Sequence, residues 1–173
     1  MRLPKPLPRS FYARPTVEVA RDLLGKIVSL GEASGRITEV EAYLGVGDEA
    51  AHSARGITDR TRVLFGPPGH AYIYLIYGMY DCLNFVTESD GIAGGVLIRA
   101  IEPITGINRS ADGPGKLTLA LGITRAQNGA DLTCGPITVH RDPRAKPFKI
   151  EVSKRIGITK SADLPLRFLI GRE

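Results

Sequence analysis

Tryptophan is absent from the 173 residues, cysteine occurs twice and histidine three times. Each scarcity removes a class of explanation. Cys82 and Cys134 lie far apart and form no C-x-x-C pair, so neither a zinc cage nor a disulfide framework is expected. No segment approaches the roughly 18 apolar residues of a membrane span. The opening MRLPKPLPRSFY is basic but has no apolar run, so neither a membrane nor export is expected, and the protein is placed in the cytoplasm, beside the nucleoid in a bacterium. Internal repeats and low-complexity blocks are lacking as well. What exceeds balance is positive charge: 23 Lys and Arg stand against 18 Asp and Glu, a formal net charge of +5. The pI of about 9.4 makes a polyanion partner plausible. With 43% apolar and 24% charged residues the composition is that of a globular protein, and the length suits one domain.

Residues 1–10 read as a short leader and 11–173 as that domain. PTVEVARDLLG predicts a brief helix, with Thr16 as cap, Val17, Ala20, Leu23 and Leu24 as apolar stripe, and Gly25 as stop. KIVSL and RITEVEAYL flank GEASG, a hairpin pattern that puts Glu39 and Glu41 on one strand face. HAYIYLIYGMYDCLNFVT predicts a second hairpin bent near Gly78, and GGVLIRAIEP a further strand. KLTLALGI suggests a short helix, while ITVHRD, FKIEVS and LRFLI read as late strands. Nothing suggests βαβ repeats. The expected class is α+β, with a curved, mainly antiparallel sheet and short surrounding helices.

Residues 38–53, TEVEAYLGVGDEAAHS, concentrate carboxylates around His52. Glu49-Ala-Ala-His52 has the Glu-x-x-His spacing of di-iron bundles, which need two copies. Pro67 and Ile137 occupy the positions three before His70 and His140, so the second copy is missing and no metal is expected. Asp48 and Glu49 suit the first turn of a short helix, where the helix dipole favours acids. Glu41 differs, because a carboxylate beside Ala42 and Tyr43 on an apolar strand is either solvated or held for a purpose. Four of the six tyrosines fall in HAYIYLIYGMY. Tyr72 and Tyr74 share a strand face, and Tyr77 falls at the hairpin tip, either as a plug folded into the core or as an exposed wedge of the kind that pries base steps apart.

In order along the chain, TEVEAYLGVGDEAAHS (38–53), AYIYLIYGMYDCLN (71–84), GVLIRAIEP (95–103) and GPGKLTLALGI (113–123) resemble the alkyladenine (3-methyladenine) DNA glycosylase family, the single-domain type that removes alkylated and deaminated purines. The likeness extends from FYARPTVEVARDLLG to the closing PLRF. It implies that Glu41 activates the water that attacks the sugar and that Arg99 helps to hold it. Tyr43, His52 and Tyr74 would wall the base pocket, Tyr77 would fill the gap left by the flipped nucleotide, and Asn84 would reject guanine by a clash with its 2-amino group. A main-chain carbonyl of Ile156 or Ile158 would also touch the water. The connection INRSADG is shorter than in longer family members, which bears on substrate range, yet none of the pocket positions lies in it.

The implied reaction is hydrolysis of the N-glycosidic bond of 3-methyladenine, 7-methylguanine, hypoxanthine or ethenoadenine flipped out of double-stranded DNA, which leaves an abasic site. No lysine lies in the water-activating motifs, so the resemblance implies a monofunctional, cofactor-free enzyme acting as a monomer. Arg55, Arg60, Arg62 and Lys116 are candidates for phosphate contacts, against a plain solvated basic face. The competing readings are a damaged-DNA-binding protein without hydrolysis and an RNA-binding module.

Overall fold

Eight strands carry the architecture of the computed structural model, which describes residues 1–172: β1 (Ile27–Leu30), β2 (Ala33–Leu44), β3 (Ala71–Ile76), β4 (Tyr80–Val86), β5 (Gly94–Thr105), β6 (Ile137–His140), β7 (Ile150–Ser153) and β8 (Arg167–Ile170). The helices are α1 (Arg9–Tyr12), α2 (Thr16–Leu23) and α3 (Pro114–Leu121). Single 3₁₀ turns at His52–Arg55, Arg62–Phe65 and Arg125–Gln127 complete the regular structure. Among the described residues no helix is long and apolar enough to cross a membrane.

The strands form one curled antiparallel sheet in the order β3-β4-β5-β2-β1-β6, as the α+β expectation requires. β2 is its spine. It pairs with β5 from Ser34 to Leu44, while its other edge is divided between β1 at Ala33–Arg36 and β8 at Glu39–Glu41. Where the partner changes, the register with β5 shifts by one residue and then shifts back: Ile37 faces Ile101, Glu39 faces Ala100 and Val40 faces Ile98. These paired bulges leave Thr38 and Arg99 without a cross-strand Cα partner, and bulges re-aim side chains.

The period-two alternation of the strands divides the molecule. Val40, Ala42, Ile73, Leu83, Phe85, Val96 and Ile98 face the main core, which α2 and α3 cover with Val19, Leu23, Leu117 and Leu121. Burying each of these large aliphatic side chains stabilises the fold by about 1.5–3 kcal/mol. The opposite parity, Glu41, Tyr43, Tyr72, Tyr74 and Asn84, faces the other side of the sheet.

Three local expectations are corrected. The first hairpin is tighter than GEASG suggests, because Leu30 pairs directly with Ala33 across Gly31-Glu32, and Gly31 has φ 59°, the left-handed conformation a two-residue loop demands. Thr16 is not a side-chain cap, since α2 begins at Thr16 itself after Pro15 and its hydroxyl and amide both turn to Glu88. Residues 4–9, part of the segment read as a leader, are bound to the sheet: Leu7 is buried, its amide bonds the Val139 carbonyl at 2.7 Å, and the Pro4 carbonyl lies 2.7 Å from His140 Nδ1.

Candidate active site

Glu41 lies at the bottom of the uncovered sheet face with 0% of its side chain exposed. Its pairing partners Leu97 and Arg167 belong to β5 and β8, so it sits where β2 is enclosed on both edges. Oε1 accepts the Tyr43 hydroxyl at 2.9 Å, and Oε2 accepts the Ile156 amide at 2.8 Å. Arg99 Nη1 stands 3.6 Å from Oε1. A carboxylate offers about four lone-pair positions, so these contacts leave capacity for a further donor. Glu39, expected on the same face, is there too: it binds Arg99 Nε at 3.2 Å and Arg167 Nε at 2.6 Å. The bulge at Arg99 lets one guanidinium serve both glutamates.

An aromatic cleft opens beside this group, lined by Tyr43, His52, Tyr72, Tyr74 and Asn84 over Gly94 and Gly95, and it encloses about 350 Å³ including its open mouth. His52 and Tyr74 stand with ring centroids 4.3 Å apart, and His52 Nδ1 lies 2.9 Å from the Tyr72 hydroxyl. Burial, and then the nearby charge of Arg60, hold the His52 imidazolium below its ordinary pKa. Burial pushes the Tyr43 and Tyr74 phenols up, with Glu41 adding to the effect at Tyr43. The cleft is therefore walled by uncharged, electron-rich rings at neutral pH. Asn84 gives its amide to the Tyr72 carbonyl at 3.2 Å and the Cys82 carbonyl at 3.4 Å, which fixes the side chain at the cleft wall.

Tyr77 projects from the β3–β4 turn with 79% of its surface exposed and φ 54°, held there by the turn with Gly78. Of the two readings open from sequence, this exposure excludes the plug folded into the core. Met79 and Tyr80 beside it are exposed as well. The four basic candidates separate. Arg55 and Arg60 line a groove next to His52 together with Lys160, and the Arg60 guanidinium lies 5.3 Å from the Tyr74 centroid. Arg62 and Lys116 are each paired with a local acid, Asp59 at 3.3 Å and Asp112 at 3.1 Å.

Asp48 and Glu49 do not open a helix; the nearest turn begins at His52. Asp48 is buried against Arg155 in a two-point ion pair at 2.6 and 2.8 Å. The pairing joins residues 107 apart, a separation that leaves no local pattern to find. Ile156 reaches the site, but through its amide on Glu41. Tyr72 was missed as a pocket residue although its shared parity with Tyr74 was the available signal. Lys160 and Arg167 were missed without any such signal.

The profile of the methylpurine-DNA glycosylase family matches residues 10–173. The chain belongs to that family. Membership makes it a DNA glycosylase, a hydrolase of N-glycosyl bonds in the service of base-excision repair. Relatives named provisionally as 3-methyladenine DNA glycosylases agree. The protein of Wolbachia sp. subsp. Brugia malayi is 56% identical over 164 residues, covering 95% of this chain and 96% of its own. That of Methanoculleus marisnigri is 50% identical over 182 residues, covering 95% and 94%. That of Alkaliphilus oremlandii is 46% identical over 192 residues, covering 95% of each.

Proposed function

We propose that this glycosylase flips an alkylated or deaminated purine out of duplex DNA and hydrolyses its N-glycosidic bond with a water activated by Glu41. The observation that carries the reading is a fully buried carboxylate with acceptor capacity to spare, between Arg99 and an aromatic cleft. The water oxygen attacks C1′ of the deoxyribose and gives its proton to Glu41. The C1′–N9 bond breaks with its electron pair going to the purine, and the products are the free base and an abasic site. In 3-methyladenine or 7-methylguanine the base is already cationic, so that electron pair neutralises it and no general acid is needed. Hypoxanthine and ethenoadenine are neutral and take a proton from solvent or a pocket group as they leave. The Glu41 carboxylate also stabilises positive charge developing on the sugar.

Tyr43, His52 and Tyr74 receive the flipped base, and stacking on an aromatic ring contributes about 1–3 kcal/mol per base. Tyr77 fills the vacated stack, and Asn84 excludes guanine. Arg55 and Arg60 bind backbone phosphate, where they position the duplex without reading its sequence; Arg62 and Lys116, tied to acids, contribute less. The enzyme acts as a monomer on double-stranded DNA in the cytoplasm and does not nick its product.

The test is single-turnover excision from a duplex bearing one ethenoadenine or hypoxanthine, read as strand breakage after alkali. Glu41→Gln keeps the size of the side chain and binds the duplex, but excision falls by about 10²–10⁴-fold, the usual worth of a general base. Undiminished excision by that variant would remove Glu41 from the mechanism. Tight binding of damaged duplex with no excision by the unaltered protein would favour a damage-binding module.

A further inference from the structure

The pair Arg155–Asp48 lies beneath the site and belongs to none of the groups assigned above. Both side chains are 0% exposed. Arg155 Nη1 donates to Asp48 Oδ2 at 2.6 Å and to the Ala42 carbonyl at 3.1 Å, while Nη2 donates to Asp48 Oδ1 at 2.8 Å and to the Ser161 carbonyl at 3.2 Å. Asp48 in turn accepts the Leu44 amide at 2.9 Å and the Ala50 amide at 3.1 Å. One ion pair thereby joins the end of β2, the loop that leads to His52, and the segment 155–161. It also touches the reacting groups at one remove. Ala42, whose carbonyl Arg155 holds, stands between Glu41 and Tyr43. The guanidinium carbon lies 4.7 Å from the Tyr43 ring centroid, and the next residue, Ile156, supplies the amide on Glu41 Oε2.

A buried pair of charges is a poor source of stability, because desolvation consumes most of the attraction, and well-packed neutral side chains serve as well or better. A site that needs one peptide N–H fixed against one carboxylate oxygen has a different use for it. Four donated hydrogen bonds from a planar guanidinium define both position and orientation, which a lysine ammonium cannot do. We propose that Arg155, locked on Asp48, is a positioning residue: it sets the Ile156 amide against Glu41 and backs the Tyr43 ring, so that the carboxylate and the first wall of the pocket are held before substrate arrives. The proposal rests on the glycosylase reading for its kinetic consequence, and its geometric half stands without it.

The test compares the unaltered protein, Glu41→Gln, Arg155→Lys and the double variant Asp48→Asn with Arg155→Met, which removes both charges so that neither is left buried alone. Four readouts are taken: melting temperature, affinity for a duplex with a tetrahydrofuran abasic analogue, single-turnover excision of ethenoadenine, and hydrogen exchange of the Ile156 amide. In the double variant excision falls by about 10²-fold, the scale of a misplaced reacting group, with melting temperature and duplex affinity near those of the unaltered protein. Its Ile156 amide exchanges at least about tenfold faster, as a released local hydrogen bond does. Arg155→Lys lies between, and it carries the same comparison should the double variant fail to fold. Excision within about threefold of the unaltered protein, or an Ile156 amide as protected as before, overturns the proposal. So does a parallel loss of melting temperature, affinity and rate, which marks a purely structural pair. If the unaltered protein excises nothing, the glycosylase reading fails, and the exchange result alone decides whether Arg155 fixes Ile156.

Discussion

At His52, burial and a neighbouring cation act on a single side chain in the same direction. Because burial and Arg60 both disfavour the imidazolium, the ring stays neutral through physiological pH and can lie against a cationic purine without repulsion. The ordinary imidazole pKa is about 6.5, and the lowered value puts the onset of charging below that. Acidification through this window is expected to weaken binding of duplex containing 7-methylguanine, while binding of duplex containing the neutral ethenoadenine changes little. Fluorescence anisotropy from pH 7.5 to 5, with Glu41→Gln used to prevent turnover, measures both; equal pH dependence would mean that His52 does not face the base. Glu41, Tyr43, His52, Tyr74 and Asn84, which the structure gathers at and beside the cleft, were singled out in the sequence by the resemblance of its motifs, and strand parity added the shared face of Tyr72 and Tyr74. Arg155 was not singled out, since its partners Asp48 and Ala42 are 107 and 113 residues away.

Among the elements, the β3–β4 hairpin carries Tyr77 and owes its stance to α3. Gly115 lies so close to Tyr80 that a Cβ would stand 2.6 Å from the ring, and Thr118 Oγ1 donates to the Asp81 carbonyl at 2.8 Å. Gly115→Ala overpacks this contact at a cost of about 1–3 kcal/mol, of which better helix propensity returns at most about 1. A loss of a few degrees in melting temperature follows, at about 2–4 °C per kcal/mol for a domain of this size. Circular dichroism checks it, and an unchanged or raised melting temperature would show that the helix and hairpin separate easily. The hairpin itself was readable from alternation around Gly78. The paired bulges at Thr38 and Arg99 were not, because alternation continues through RITEVEAYL as if the strand were regular and only a second strand reveals the slip.

Across the whole molecule, the N-terminal residues are fastened by chemistry that depends on acid. Arg9 meets Asp131 at 2.5 Å and the Pro68 carbonyl at 2.8 Å. Burial alone would raise the Asp131 carboxyl, but the Thr133 hydroxyl and amide together with Arg9 outweigh it and hold the pKa to about 2. A carboxyl depressed on folding adds stability that is complete above its unfolded value near 4 and is lost as pH falls toward 2. The urea midpoint of the unaltered protein should therefore exceed that of Asp131→Asn at pH 5 and above, with the gap closing toward pH 2. A gap independent of pH would show that the ion pair is not its source.

The same scale exposes an effect of the divided edge of β2. The Ile156 amide on Glu41 and the Arg167 guanidinium on Glu39 reach back 115 and 128 residues. A chain emerging from the ribosome carries both glutamates early, with Tyr43 and Arg99, and two of the groups that hold them last. Until the stretch from Ile156 through β8 seats against β2, Glu41 lacks its amide donor and Glu39 its second guanidinium. If Glu41 acts as proposed, full excision is therefore expected only once these last residues are in place.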